Sequence, residues 1–358
     1  MTTQTESHPT TQPPSPESQL TGNKLPQLGA RAVVAVALLA GVGVYLLRDS
    51  VIQGVLVAWV LCFAVPAWSA VVEGSRKATD RLVTLFVASA FALAMVPLIS
   101  ILFTVLSKGL NIMGVEFLTF SMRNVVGEGG GVYHAMMGTL LITGAATIIS
   151  VPIGLFAAIY LVEYAEDNRL SKVLRFLVDV MTGIPSIVAG LFAYALFVIF
   201  FGPGVRLGIG GSVALSVLMI PIVVRSSEEM LKLVPNELRE ASYALGVPKW
   251  RTIAKVVLPT ALAGIVTGVT LSIARVIGET APLLIIAGAT DSVNFDLFNG
   301  RMATLPVFAF AQQRNPGIPP EFGIDRAWGS AFVLLIIVML LNLVARLVSY
   351  FFSPKGER

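Results

Sequence analysis

Long apolar stretches alternate with short polar segments along this chain. Eight such stretches follow one another, most of them near the length at which a helix crosses about 30 Å of hydrocarbon. They lie near residues 31–47, 51–73, 82–106, 136–162, 174–201, 211–224, 259–289 and 329–351. The sixth is short for a span, and the seventh is too long for one straight helix, so we expect a break near Gly278. The pattern predicts an all-α polytopic membrane protein.

The composition indicates that lipid is the solvent for most of the chain. Hydrophobic residues make up 55% of the 358 residues and charged residues only 13%, whereas a soluble domain holds about 25% charged residues. Residues 1–29 differ, because they are rich in Pro, Ser, Thr and Gln and cannot bury enough apolar surface to order. We expect a disordered tail there.

The basic residues indicate the orientation. With both termini in the cytoplasm, 17 of the 25 Lys and Arg residues fall in inside segments, 7 fall in outside segments, and Arg275 lies within the membrane. Short cytoplasmic loops of membrane proteins carry an excess of Lys and Arg. The distribution therefore predicts cytoplasmic termini.

The predicted organisation has an addition at the start. We expect a cytoplasmic tail at 1–29, two additional transmembrane helices at 30–73 and a basic cytoplasmic joint at 74–81. A core of six spans then occupies 82–352, and a short cytoplasmic tail follows at 353–358.

A short charged helix is predicted inside the cytoplasmic loop at 225–258. Asn236 can cap its start, and Glu237 and Glu240 lie in the first turn, where the helix dipole favours acids. Gly246 can end it in the left-handed conformation, and Pro248 prevents its continuation. One small, mostly apolar face is formed by Leu238, Ala241, Ser242 and Leu245. The segment is either a plain basic loop or a docking helix for a cytoplasmic protein.

This segment resembles a known motif. Glu240-Ala241-Ser242, followed by Gly246 and by Val256-x-Leu258-Pro259, is similar to the EAA loop of bacterial ABC importer permeases, with Ser for the second Ala and Val for Ile. In that family the loop holds the coupling helix, which sits in a cleft of the ATPase subunit. The resemblance implies that ATPase coupling involves Glu237, Glu240, Ala241, Ser242, Leu245 and Gly246.

Three further stretches narrow the resemblance. MTGIPSIVAG (181–190), the segment 220–246 and ARVIGETAPLL (274–284) look like PstA-type permeases of the phosphate-specific ABC importer, over about residues 80–352. The resemblance implies a six-helix type I permease core in the bacterial cytoplasmic membrane, without catalytic activity and without a cofactor. The implied partners are a PstC-type second permease subunit, two ATP-binding subunits, an extracytoplasmic phosphate-binding protein, inorganic phosphate and the lipid bilayer. Basic residues spread over short loops do not form a nucleic-acid surface.

Arg225 and Glu228 are the first candidates for handling an oxyanion. On a helix they share a face at i, i+3, and a guanidinium fork suits phosphate. A neighbouring Glu can neutralise the Arg when the site is empty. The alternative is an interfacial salt bridge that positions the loop. In PstA-type permeases the matching R-x-x-E element is associated with transport, which favours the first interpretation.

Two other groups of residues each allow two interpretations. Arg275 and Glu279, at i, i+4 in the seventh span, either line the pathway or hold helices together, and the segment after Thr280 frees backbone groups that need partners. The Gly183-to-Ser186 segment either opens a helix toward an anion or forms a proline kink with close packing.

The sequence argues against several other chemistries. GEGGG at 127–131 lacks the Lys-Ser/Thr of a P-loop, so we expect ATP hydrolysis in a separate subunit. Cys62 stands alone and His8 and His134 lie far apart, so we expect no metal site. The alternatives to a phosphate permease are a permease for another oxyanion such as sulfate or molybdate, an ATP-independent channel and a phosphate-sensing membrane partner.

Overall fold

The computed structural model describes residues 25–165 and 168–352. Most of the predicted tail at 1–29 and the whole predicted tail at 353–358 lie outside these residues. At 25–29 the first helix has already begun, since it starts at Gln27, before the predicted boundary at residue 30.

The described residues are helical apart from their loops, and no strand occurs among them. In chain order the helices are α1 (Gln27–Arg48), α2 (Val51–Cys62), α3 (Ala64–Val72), α4 (Ser75–Asn111), α5 (Val115–Thr119), α6 (Tyr133–Ile159), α7 (Arg169–Thr182), α8 (Ser186–Phe201), α9 (Gly208–Lys232), α10 (Asn236–Ala244), α11 (Lys249–Thr252), α12 (Leu258–Val276), α13 (Ala281–Ile286), α14 (Leu305–Arg314) and α15 (Pro320–Phe352). A π-helical turn, Tyr160–Tyr164, extends α6, and another, Ile253–Val257, joins α11 to α12.

The number of membrane-crossing helices agrees with the sequence pattern. Among the described residues, 7 helical segments are long and apolar enough to cross a membrane, and the bent pair α7–α8 would be an eighth. The predicted all-α polytopic fold is confirmed. The sixth span is longer than predicted, because α9 extends over Gly208–Lys232. The expected break near Gly278 is also confirmed, since α12 ends at Val276 and α13 begins at Ala281.

The span predicted at 174–201 is broken at the Gly183-to-Ser186 segment, where the sequence left open a helix start or a proline kink. Two helices, α7 and α8, occupy this region and meet at an angle of 109°. Pro185 has no backbone N–H and disfavours a helical residue before it, so the helix cannot continue from Thr182 to Ser186. The charged residues of α7, among them Arg175 and Asp179, suit a polar face better than a lipid-facing span.

The described residues divide into two compact units, one up to residue 101 and one from residue 102 onward. The division falls inside α4, and the boundaries predicted at 74–81 stay a prediction. In the first unit α1 crosses α2 at two glycines, where a Cβ on Gly41 would lie 2.6 Å from the carbonyl oxygen of Gly54. Trp59 of α2 packs edge-on against Phe86 of α4 and donates its indole N–H to Ser89.

Glu73 joins three segments of the first unit through hydrogen bonds to its carboxylate. Its side chain is only 3% exposed. Its carboxylate accepts hydrogen bonds from the backbone N–H of Leu25 at 2.8 Å, the hydroxyl of Ser69 at 2.8 Å and Nε of Arg81 at 2.9 Å. The Leu25 N–H, then the Ser69 hydroxyl and the Arg81 charge, hold the pKa of Glu73 below its ordinary value. The start of α1 is thereby fixed to the α3–α4 turn.

The second unit is built on the contact between α6 and α9, the most extensive between any two helices in the part described. Ile142 of α6 and Leu215 and Met219 of α9 are fully buried in its main core. Ser212 donates its hydroxyl to the carbonyl of Ile142 at 3.0 Å, and Ser216 bonds one turn further along both helices. Small residues and interhelical hydroxyl bonds are how helices associate in lipid.

Two α6 glycines provide a test of how closely α6 packs on the loop before α14. A Cβ on Gly138 would lie 2.0 Å from the carbonyl oxygen of Ala303, whereas a Cβ on Gly144 would meet nothing within 4 Å. We expect Gly138→Ala to lower the free energy of unfolding by about 1–3 kcal/mol through overpacking. Gly144→Ala, the matched control, should be neutral or slightly stabilising because Ala favours a helix interior. Thermal unfolding in detergent measures both, and equal shifts would contradict the packing described.

Glu73 predicts a pH dependence. Because its pKa is lowered in the folded protein, the carboxylate contributes its full stabilisation above its ordinary pKa and loses it as the pH falls through the lowered value. Amide exchange at residues 25–30, corrected for intrinsic rates, should therefore increase on acidification from pH 7. Glu73→Gln should show faster exchange at pH 7 and little further change in acid. A variant with the wild-type pH profile would exclude Glu73 as the group responsible.

Candidate functional site

The C-terminal half of α9 carries an arginine that pairs with another helix. Arg225 donates through Nη2 to Oδ1 of Asp179 on α7. Both side chains are exposed. The bonded pair therefore faces open space beside the α7–α9 contact.

Glu228, one turn further along α9, is buried, with its side chain only 3% exposed. Lys232 donates through Nζ to its Oε1 at 2.7 Å, and Nη2 of Arg175 lies 3.5 Å from the same oxygen. Nη1 of Arg225 is 3.9 Å from Oε2, an oxygen that accepts no hydrogen bond within the described residues. A buried carboxylate requires such cations, because an unpaired buried charge is very unfavourable.

These five residues form the α7–α9 charge cluster: Arg175, Asp179, Arg225, Glu228 and Lys232. Three cations face two carboxylates, so the cluster carries one positive charge in excess. The guanidinium of Arg225 has five N–H donors in a planar fork, more than Asp179 uses. If Asp179 moves away, the fork can take two oxygens of an oxyanion.

Asp179 was missed by sequence reasoning. We expected Glu228 to neutralise Arg225, but the direct hydrogen-bond partner of Arg225 is Asp179, and Glu228 is held mainly by Lys232. Asp179 lies 46 residues from Arg225 along the chain. The sequence signal that could have indicated Asp179 is its i, i+4 spacing from Arg175, which puts both residues on the polar face of α7.

Arg275 and Glu279 are not brought together as a helical pair. Arg275 lies in the last turn of α12, whereas Glu279 lies beyond its end. Within residues 25–165 and 168–352 neither side chain forms an ion pair. Thr280 precedes α13, and its hydroxyl oxygen accepts no capping hydrogen bond from that helix. All three lie at the break in the seventh span.

Gly183 and Ser186 flank the sharp turn between α7 and α8. Gly183 ends α7, and its N–H bonds to the carbonyl of Val180 at 3.0 Å. Ser186 is the first residue of α8, after Pro185. In α8, a Cβ on Gly190 would lie 2.5 Å from Cα of Pro282, which places the start of this helix directly against α13.

The predicted charged helix forms as α10, over Asn236–Ala244. It ends in a Schellman motif, with Gly246 at φ +74°. The N–H of Gly246 donates to the carbonyl of Tyr243 at 2.9 Å, and the N–H of Val247 donates to the carbonyl of Ser242 at 3.2 Å. The predicted cap at the start was wrong, since Asn236 is the first helical residue and its side chain accepts from Arg239 instead.

The surface of α10 is open along most of its length. Glu237, Glu240 and Ala241 are exposed, and Leu245 is 83% exposed. Ser242 is the exception, because it is buried and its hydroxyl shares a 2.8 Å hydrogen bond with that of Thr252. The Ser that departs from the EAA pattern therefore fixes α10 to α11.

Arg239 braces α10 against the ends of α6 and α9. Its guanidinium bonds to Oε1 of Glu163 at 2.8 Å and 3.1 Å, to the carbonyl of Leu231 at 3.0 Å and to that of Val234 at 2.6 Å. Glu163 is buried in the π-helical turn after α6. Sequence reasoning missed this pair, whose members lie 76 residues apart.

The comparisons with known proteins point in one direction. A family model described as "Binding-protein-dependent transport system inner membrane component" matches residues 150–357. The phosphate transport system permease protein PstA 1 of Mycobacterium tuberculosis (strain CDC 1551 / Oshkosh) is 45% identical over 278 residues, which cover 77% of this chain and 90% of that protein. The phosphate transport system permease protein PstA of Pasteurella multocida is 42% identical over 259 residues, covering 72% and 88%.

A solved structure supports the fold. A chain of the methionine ABC transporter MetNI, in an inward-facing crystal form, aligns with a TM-score of 0.51 and 20% identity, over 68% of this chain and 100% of that chain. At this identity the likeness shows the fold alone.

The Arg239 brace predicts how α10 is held. Arg239→Gln leaves Glu163 buried without its cation, which typically costs about 3–5 kcal/mol. We expect amide exchange to rise in residues 236–247 of the purified protein. Arg251→Gln is the control, because Arg251 lies in the same loop but is exposed and rests on Trp250. Removing both charges, with Arg239→Met and Glu163→Met, should restore part of the protection. Unchanged exchange in Arg239→Gln would contradict the brace.

Proposed function

The chain belongs to the family of binding-protein-dependent transport system inner membrane components, and we propose from this membership that it is the PstA-type permease subunit of an ATP-driven phosphate importer. The observation that carries the proposal is helix α10, which is exposed for a partner yet braced on the membrane helices by Arg239. The relatives named as phosphate transport permeases support phosphate as the substrate.

The proposed partner at α10 is an ATP-binding subunit. Two such subunits would hydrolyse ATP, one docking on this helix and the other on the corresponding helix of a PstC-type second permease. The exposed Leu245, Glu237, Glu240 and Ala241 would form the contact, while Ser242 and Gly246 shape the helix and its end. The brace to Glu163 would then carry motion of α10 into α6 and α9.

The proposed membrane is the bacterial cytoplasmic membrane, with both termini in the cytoplasm. The excess of Lys and Arg in the segments on the α10 side supports this orientation. It places the α7–α9 charge cluster at the cytoplasmic end of the spans and the loops at 202–207 and 287–304 at the outer end.

Phosphate would pass through a pathway shared with the second permease subunit, after delivery by an extracytoplasmic binding protein. Arg225 would contact the anion, with Asp179 and Glu228 as its resident carboxylates. The broken segments supply further proposed pathway residues: Gly183, Ser186, Arg275, Glu279 and Thr280. Irregular backbone within a membrane is tolerated where it lines a cavity or is buried in protein.

The domain organisation is proposed as predicted, with a tail at 1–29, two additional helices at 30–73, a joint at 74–81, the permease domain at 82–352 with its coupling loop at 225–258, and a tail at 353–358. The alignment with PstA 1 supports an addition, because it covers 90% of that protein but only 77% of this chain.

Uptake of radiolabelled phosphate into vesicles holding the full complex tests the proposal. We expect ATP-dependent uptake by the wild type and its loss in Arg225→Gln, because the anion loses its charged fork. Leu245→Glu should weaken docking of the ATPase subunit and uncouple uptake from ATP hydrolysis, since this side chain is exposed and its substitution disturbs no internal packing.

Val126→Glu is the control for Leu245→Glu, because Val126 is an equally apolar, highly exposed residue in the loop before α6. It should leave uptake and coupling unchanged. Uptake without an ATPase would indicate a channel, and uptake of sulfate or molybdate in preference to phosphate would indicate another oxyanion permease. Normal uptake by both Arg225→Gln and Leu245→Glu would refute the assigned roles.

A further inference from the structure

Two arginines from separate loops lie against one glycine at the end of the core opposite α10. Arg206 precedes α9, and Arg301 precedes α14. A Cβ on Gly288 would lie 3.0 Å from Cδ of Arg206 and 3.5 Å from Cδ of Arg301. Both side chains therefore border the space that a side chain at position 288 would occupy. We refer to Arg206 and Arg301 as the outer arginine pair.

The backbone beside each arginine is fixed to the same turn. The N–H of Leu207 donates to the carbonyl of Ile286 at 3.0 Å. The N–H of Met302 donates to the carbonyl of Ala287, which follows Ile286, at 3.1 Å. All four of these residues are buried. The two loops are thus anchored on either side of Gly288 by groups that do not depend on a ligand.

The charges of the pair are not balanced by a carboxylate. Within the described residues neither arginine forms an ion pair, and the hydrogen bond from Nη1 of Arg206 goes to the neutral carbonyl of Leu284 at 3.0 Å. Asp296, two residues after the Asn294 that donates to the carbonyl of Arg301, accepts the N–H of Phe298 at 2.8 Å and forms no ion pair within the described residues. Because the Cδ atoms of both side chains lie within 3.5 Å of one point beside Gly288, an anion bound there would be within reach of both positive charges and would lower their mutual repulsion.

Only glycine at position 288 lets the two arginine side chains lie this close to the backbone. Its φ of +77° lies in the left-handed region, and a side chain there would meet both arginines. Arg206 is half-buried and Arg301 is exposed, so the pair is open to water on one side. A water-exposed site of two guanidinium groups binds an anion without holding it too tightly for release.

We propose that the outer arginine pair is the entry site at which a tetrahedral oxyanion first contacts this subunit. The inference rests on the proposed function for the side of the membrane and for phosphate as the anion. Two planar forks can each donate a pair of hydrogen bonds to phosphate oxygens. The pair is the outer counterpart of Arg225, which lies at the opposite end of α9 from the loop that carries Arg206.

The first test measures contact with the anion directly. The purified complex, without binding protein, is labelled with phenylglyoxal, which modifies arginine, in inorganic phosphate or in chloride of equal ionic strength. We expect phosphate to slow labelling of Arg206 and Arg301 about threefold once its concentration is about twice the dissociation constant. Arg314 is the internal control, because it lies in the same outer region but stacks on Phe310. Equal labelling in both salts would overturn the proposal.

The second test uses uptake by the full complex. With phosphate-loaded binding protein at saturation, Arg206→Gln and Arg301→Gln should each lower the rate of phosphate uptake roughly tenfold, the loss expected for a charged hydrogen bond. Arg206→Lys should be intermediate, and Arg314→Gln should match the wild type. Unchanged uptake rates in both Gln variants would overturn the entry site.

The outcomes separate this inference from the proposed function. Wild-type phosphate uptake without phosphate protection of the pair would reject the entry site alone. Protection in a complex that takes up no phosphate would reject the proposed function and leave an oxyanion site. If the Gln variants instead weaken capture of the binding protein and phosphate gives no protection, the arginines contact a carboxylate of that partner, which also overturns the proposal.

Discussion

The contact between α6 and α9 is the interaction on which the permease unit depends. Lipid offers helices no hydrophobic gain on association, so the pair must be held by close packing and by hydrogen bonds between helices. Ser212 and Ser216 provide the bonds, one turn apart, to carbonyls of α6. Gly154 of α6, whose Cβ would lie 2.7 Å from Val223, provides the close approach. Both helices are fixed along their length, so their ends are fixed as well.

One end of this helix pair holds the buried charged contacts of helix α10. At this end Glu163 follows α6, the carbonyl of Leu231 lies in the last turn of α9, and Arg239 binds both. Helix α10 is short and would not be stable alone. Its brace and its bond between Ser242 and Thr252 give it a defined position, so a force on α10 acts on the packed pair directly rather than on a loose loop.

The placement of charges follows from the cost of burying them. Glu228 is buried but meets Lys232 and Arg175, whereas Arg225 and Asp179 pair at an exposed position. The same cost explains the break between α7 and α8, because the polar face of α7 joins the cluster while α8 is apolar. Arg206 and Arg301, which form no ion pair in the part of the chain that the structure describes, lie at a half-buried and an exposed position.

The sequence by itself determined the helical membrane fold, the breaks near Gly278 and Pro185, and the short helix ending at Gly246. These features depend on local properties, namely apolar length, the missing N–H of proline and the freedom of glycine at positive φ. Only the tertiary structure decided which charges meet. Asp179 joins Arg225 across 46 residues and Glu163 joins Arg239 across 76. Arg275 and Glu279, placed at i, i+4, form no ion pair in the described part of the chain. Such pairs depend on how the helices pack against one another, and a local sequence pattern does not predict that packing.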